Sequence, residues 1–102
     1  MEQWTKELFF EHLNSGKKGA FYLYTPMCGT CQLAGKMLEI VSNTMPDFLI
    51  GKADLNYLPE LAKSFQVESV PCLLIFYEGE IKEKIYAFHS VTYIYEKLNV
   101  KS

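Results

Sequence analysis

Cysteine is scarce, long apolar runs are missing and clustered positive charge is absent from this 102-residue chain, and each shortage removes a class of function. Three cysteines, an odd number, are too few for the disulfide framework of a small secreted domain, and a reducing compartment would keep them as thiols. A pair with special spacing then suits chemistry better than stapling. The longest stretch without a charged residue, Gly19 to Gly35, is interrupted by Pro26, Gly29, Thr30 and Gln32 and is too short to span a bilayer. Met1-Glu2-Gln3-Trp4 has neither the positive region nor the apolar stretch of a signal peptide. The expectation is a cytoplasmic protein with no membrane partner. Ten basic against 12 acidic residues give a net charge of −2, and no basic block exceeds Lys17-Lys18. Nucleic acid is therefore not an expected partner, because neutralising phosphates takes a clustered basic face. No repeat, low-complexity segment or linker divides the chain, so one domain over residues 1–102 is expected.

What is present suits a packed core. Apolar residues make up 49% of the chain, charged residues 22% and aromatics 15%, a balance that argues against disorder and for an aromatic-rich interior. Thr5 is placed to cap a first helix to about Asn14, with Gly16 just past its end. Ala20 to Tyr24 reads as a buried strand stopped by Pro26. Leu33, Met37, Leu38 and Val41 recur at helical spacing between Gly29 and Thr44, and Pro46 closes that segment. Phe48 to Ala53 reads as a second strand, and Asn56 as the cap of a third helix with Pro59 in its first turn. Cys72 to Tyr77 and Glu80 to Tyr86 form a hairpin about Glu78-Gly79, and Ser90 caps a last helix. Strand–helix alternation of this kind predicts an α/β fold, a central sheet flanked by helices with a hairpin at one edge.

Cys28-Gly29-Thr30-Cys31 falls where the first of these strands ends and the second helix begins. Residues three apart in a helical turn have Cβ atoms about 5–6 Å apart, and a small adjustment reaches the roughly 3.5–4.5 Å of a disulfide. Cys28, at the turn, is the expected exposed member, and the free N–H groups and positive dipole end of the helix favour its thiolate. Cys31, one turn in, is expected to be buried. The pattern points to thiol–disulfide exchange in two steps, with Cys28 as nucleophile and Cys31 as the resolving thiol. Half of a zinc knuckle or an inert pair are the other readings, but a knuckle wants a second close pair. Only Cys72 remains, with His12 and His89 isolated.

In this context the chain resembles the thioredoxin family over nearly all its length. Tyr22-Leu23-Tyr24-Thr25-Pro26-Met27-Cys28-Gly29-Thr30-Cys31 stands where that family has a strand running into its W-C-G-P-C motif. Lys52-Ala53-Asp54-Leu55-Asn56, Val67-Glu68-Ser69-Val70-Pro71 and Phe76-Tyr77-Glu78-Gly79-Glu80 match three further family segments in order. The resemblance implies a thioredoxin-like fold with a central mixed sheet, a cis Pro71 beside the cysteines, and substrate contact through Met27, Gly29, Thr30, Val70 and Pro71. It leaves no room for the family's first short strand, since only four residues precede Thr5. Departures are Met27 for the Trp before the first cysteine, Thr30 for the intervening proline and Lys36 for a helix-bending proline. Tyr22 replaces a buried acid, and Tyr86 stands at a glycine of the substrate rim, where it would narrow the peptide groove. A neutral tyrosine is a poor base near pH 7.

The expected activity is disulfide reduction or exchange on protein or low-molecular-weight disulfides. No bound cofactor or metal is expected, and the chain should be a monomer. By the resemblance, electrons would come from an external donor such as a thioredoxin-reductase-type enzyme. A binding module working through Met27, Val70 and Pro71 with little turnover is the alternative, as is metal or iron–sulfur binding by Cys28, Cys31 and Cys72. Cys72 reads either as a small apolar filler or as an accessory thiol. Lys52 either lowers a nearby thiol pKa or reaches solvent. The roles of the pair predict that iodoacetamide at neutral pH modifies Cys28 well before Cys31, with an apparent Cys28 pKa below the free value of about 8.5. Equal rates in a mass-spectrometric time course would remove the assignment.

Overall fold

Thr5 Oγ1 accepts the Leu8 N–H at 3.1 Å and starts α1 (Lys6–Asn14), where the sequence places a cap. The computed structural model describes residues 1–99, so the last three residues of the expected domain lie outside the described residues. Beyond α1 come β2 (Gly19–Tyr24), α2 (Gly29–Thr44), β3 (Leu49–Asp54), α3 (Pro59–Ser64), β4 (Cys72–Tyr77), β5 (Glu80–Ile85) and α4 (Val91–Leu98). Ser90 Oγ caps α4 by accepting the Tyr93 N–H at 3.0 Å.

Two details differ from expectation. A strand does precede α1: β1 (Glu2–Gln3) pairs in parallel with β3 through Glu2–Gly51 and Gln3–Lys52. Both its residues are exposed, so no hydropathy pattern announces it. It is held instead by Trp4, whose N–H donates to Lys52 O at 2.9 Å and whose indole lies on Gly51. Asn56 is not a cap either. Asp54 Oδ1 accepts the Asn56 N–H at 2.9 Å and starts a 3-10 turn, Leu55–Tyr57, from which α3 begins afresh at Pro59. The acidic side chain two residues earlier is the better acceptor for the free amide.

Among the described residues the strands form one sheet in the order β1-β3-β2-β4-β5, parallel across the first three and antiparallel across the last three. Alternation along β2 and β4 sorts the core into two layers. Ala20, Tyr22, Leu73 and Ile75 face α2 and α4 with Leu38, Val41, Ile94 and Leu98. Phe21, Leu23, Cys72, Leu74 and Phe76 face α1 and α3 with Trp4, Phe9, Leu13 and Leu61. With helices on both faces, these central strands read as continuous apolar runs. The second layer is the aromatic one: Phe9 stacks on Phe21 at 4.5 Å and meets Phe76 edge-on at 5.7 Å. His12, whose ring lies 4.6 Å from Trp4, is a packed helix residue, while His89 sits in a loop against Tyr93.

A Cβ placed on Gly51 would fall inside the Trp4 indole. Gly51→Ala is therefore expected to displace Trp4 and β1 and to cost at least about 1–3 kcal/mol in urea unfolding, the usual penalty of overpacking. An unchanged urea midpoint would contradict this packing.

Candidate active site

The chain leaves β2, turns at Pro26 and enters α2 with Cys28 as the N-cap residue in an extended conformation. Its Sγ accepts the Cys31 N–H at 3.1 Å, and Thr30 Oγ1 lies 3.3 Å away. The sulfur thus occupies the place where an aspartate or serine oxygen would satisfy an otherwise free helix N–H. Negative charge is favoured there by that donor and by the helix dipole. Cys28 and Cys31 are joined as a disulfide, with Cα atoms 5.1 Å apart. Cys28 is half-buried and Cys31 is 3% exposed, which puts one sulfur at the surface and the other beneath it. Met27 is 96% exposed beside them, and Gly29 and Thr30 are also at the surface.

Below Cys31 the structure replaces a carboxylate with a hydroxyl. Tyr22 projects from β2 toward α2 and donates a short hydrogen bond to Cys31 O. Burial, with the neighbouring Tyr24 adding to it, pushes the Tyr22 hydroxyl up to about 12, so it stays protonated near neutral pH. An open pocket of about 440 Å³ reaches Cys31, with Tyr22, Gly35 and Lys52 in its walls.

Pro71 enters at the same end of the sheet. Leu23 of β2 pairs with Cys72 of β4, which sets Pro71 beside the end of β2 from which the chain runs to Cys28. The Val70–Pro71 peptide is cis; Pro71 is buried and Val70 half-buried. Cys72 is fully buried and faces the aromatic layer, away from the side that carries α2. Burial pushes its thiol up to about 11, with Tyr86 and Lys84 pulling it partly back. Among the described residues no group of three or more His, Cys, Asp or Glu converges as a metal site, so the three cysteines are not assembled as ligands.

Tyr86 does not behave as a groove-narrowing rim residue. Its hydroxyl accepts the Glu68 N–H at 3.2 Å and reaches Gln66 O at 3.5 Å, beneath the segment that leads to Pro71. Lys84 from the preceding strand donates to Phe65 O at 3.0 Å and Gln66 O at 3.2 Å. Sequence reasoning passes over Lys84, because a lysine in an alternating edge strand reads as a solvated charge.

Both raised values have one consequence for stability. Tyr22 and Cys72 favour their neutral forms in the fold, so their contribution is complete below their ordinary values of 10.0 and 9.0. It is lost as pH climbs through the folded values of about 12 and about 11. The melting temperature should therefore fall above about pH 9, and a Tyr22→Phe/Cys72→Ala double variant should show a shallower fall. Identical alkaline slopes would show that neither group carries the effect.

Comparison with known proteins agrees with this geometry. The family model described as Thioredoxin matches residues 1–99. The chain is 54% identical over 81 residues to the thioredoxin-like protein YusE of Bacillus subtilis (strain 168), covering 79% of this chain and 76% of that protein. A mutant thioredoxin from Halobacterium salinarum NRC-1 superposes with a TM-score of 0.84 at 19% identity, covering 96% of this chain and 86% of that one. A chain from work on how a yeast mitochondrial 1-Cys peroxiredoxin thiol is resolved through the glutathione/thioredoxin systems superposes at 0.83 and 19% identity, covering 96% and 92%. These two structures share the fold, while the family model and the Bacillus relative settle kinship. With a disulfide-forming cysteine pair at the mouth of α2, this chain belongs to the thioredoxin family and is a thiol–disulfide oxidoreductase.

Proposed function

We propose that the protein reduces or exchanges disulfides of other proteins or of small thiols, with Cys28 attacking and Cys31 resolving. The observation that carries this reading is the asymmetry of the pair: one sulfur at the surface on a helix cap, the other buried one turn inside. In the reduced protein the Cys28 thiolate attacks one sulfur of a partner disulfide. The S–S bond breaks, one partner sulfur leaves as thiolate, and Cys28 is held in a mixed disulfide. Cys31 gives up its proton and attacks the Cys28 sulfur, the second partner sulfur leaves, and the Cys28–Cys31 bond forms. Two electrons pass to the partner. The family's link to peroxiredoxin resolution in yeast supports protein disulfides as a substrate class. An external dithiol or flavoenzyme donor would return the pair to its reduced state.

The residues around the pair divide the remaining work. Met27, Gly29 and Thr30 offer the exposed surface a partner meets, and Val70 offers backbone to an extended segment, in the manner of strand addition. Pro71 adds no N–H near the reactive sulfur. The Thr30 hydroxyl, within reach of Cys28 Sγ, is placed to donate to the thiolate and so favour the reduced form. Tyr22 holds the turn through Cys31 O rather than taking its proton, which leaves for water in the pocket that Lys52 lines. A reducing compartment, the cytoplasm, fits a chain whose third cysteine is a buried thiol.

Reduction of insulin disulfides by dithiothreitol tests the reading. Cys28→Ser should lower turnover to the uncatalysed rate, and Cys31→Ser should accumulate mixed disulfides through Cys28. Partner binding that survives Cys28→Ser, with no turnover in the unsubstituted protein, would make the chain a binding module instead.

A further inference from the structure

The segment that carries Val70 and Pro71 is held in place from the β5 side of the sheet. It starts at the end of α3, where the Val67 N–H donates to Ala62 O at 2.8 Å and the Gln66 N–H to Lys63 O at 3.2 Å. This pair of bonds closes a helix through a residue in the left-handed region, a place that glycine or asparagine usually takes. Here it is Gln66, at φ 54°. A side chain in that conformation persists where its surroundings over-determine it. Two side chains, one in β5 and one just past its end, supply the constraint. Lys84 Nζ binds the carbonyls of Phe65 and Gln66, compensating the helix end with a cation, and the Tyr86 hydroxyl takes the Glu68 N–H and reaches Gln66 O. Every one of these contacts is to backbone, so they fix the path of the chain and leave its side chains free. Tyr86 also neighbours Cys72, the residue after Pro71, so the brace touches the segment on both sides of Val70.

We propose that Lys84 and Tyr86 are positioning residues for disulfide exchange with protein substrates: they hold the 65–68 backbone so that Val70 and Pro71 are presented to an extended partner in one conformation. The proposal rests on the reading that this edge receives the substrate. A preformed edge spares the partner the cost of ordering the segment on binding. Small disulfides, which need only the Cys28 sulfur, gain nothing from it.

The test uses Tyr86→Phe and Lys84→Met, which keep the apolar body of each side chain, beside Lys82→Met, whose amine meets Glu80 within β5 itself. Each is assayed for reduction of insulin and of a small aromatic disulfide, with hydrogen exchange followed at the amides of residues 66–70. Tyr86→Phe and Lys84→Met should raise KM for insulin about 2- to 10-fold, the size of one lost hydrogen bond, with kcat little changed. Small-disulfide rates should stay within about twofold of the unsubstituted protein, the amides of the segment should exchange faster, and Lys82→Met should change none of these. An unchanged insulin KM with faster exchange would show a brace that serves stability alone and overturn the proposal. Equal losses on both substrates would do the same by placing the effect on the cysteines. An unsubstituted protein inactive on both disulfides would overturn the reading of the site, and this proposal with it.

Discussion

The position at which α2 begins is the constraint on which the site depends. Cys28 is at once one sulfur of the redox pair and the cap of the helix that carries Cys31. The spacing of the two sulfurs is therefore the geometry of a first helical turn and needs no separate support. That turn is anchored from below by Ala34, Leu38 and Val41, buried against β2 and α4, so it cannot slide without opening the core. It is anchored from above by β2, covered on both faces until Tyr24 and released at Pro26. A thiolate formed at Cys28 takes over an interaction the helix needs in either redox state. Opening and closing the disulfide then asks for rotation of side chains and little movement of backbone.

Most of this architecture is legible from the sequence, and the reason differs by element. α1, α2 and α4 show apolar residues at helical spacing, and Thr5 and Ser90 mark capped starts that the structure keeps, whereas the cap role of Cys28 on α2 shows only in the structure. β4 reads at its observed bounds because both faces are buried and the run Cys72 to Tyr77 is unbroken. β1 is not legible. Two exposed residues have no period, and what recruits them is the meeting of Trp4 with Gly51, far apart in the sequence. The start of α3 is misplaced at Asn56 because Asp54 and Asn56 are both good acceptors, and only the backbone path decides which amide is free. At the site, motif spacing points to the pair and Pro71, whereas Tyr86, expected in the groove, lies beneath the loop instead. Side-chain direction at a strand end depends on what the neighbouring loop leaves unpaired, and spacing carries no record of that.

Tyr22 shows how one substitution redistributes a job. A carboxylate at this point of β2 would sit under Cys31 as a charged acceptor; the tyrosine is neutral, fills the layer and donates to Cys31 O. Its ring lies against Gly35 of α2, and a Cβ at that glycine would stand 3.7 Å from it. The helix and the strand therefore approach through an aromatic contact where a carboxylate would have required water or a cation. Cys31 and Lys52 line the same open pocket beside that contact.

The two faces of the sheet end up with different tasks, and the alternation of β4 enforces the division. Leu73 and Ile75 belong to the layer under α2, while Cys72, Leu74 and Phe76 belong to the aromatic layer under α1 and α3. Cys72 directly follows Pro71, yet its side chain is committed to the layer opposite the reactive pair. A one-residue slip of β4 would turn it toward α2 and bring a third sulfur near the first two. That slip is opposed by Leu74 and Phe76, which would leave the aromatic layer together, and by the pairing of Leu23 with Cys72. Register therefore has a chemical consequence here: it keeps Cys72 buried in the layer opposite Cys28 and Cys31. On the same strand pair, Lys84 in β5 and Tyr86 just beyond it turn toward the loop before Pro71, so the hairpin that fixes the register also sets the backbone that a substrate would meet.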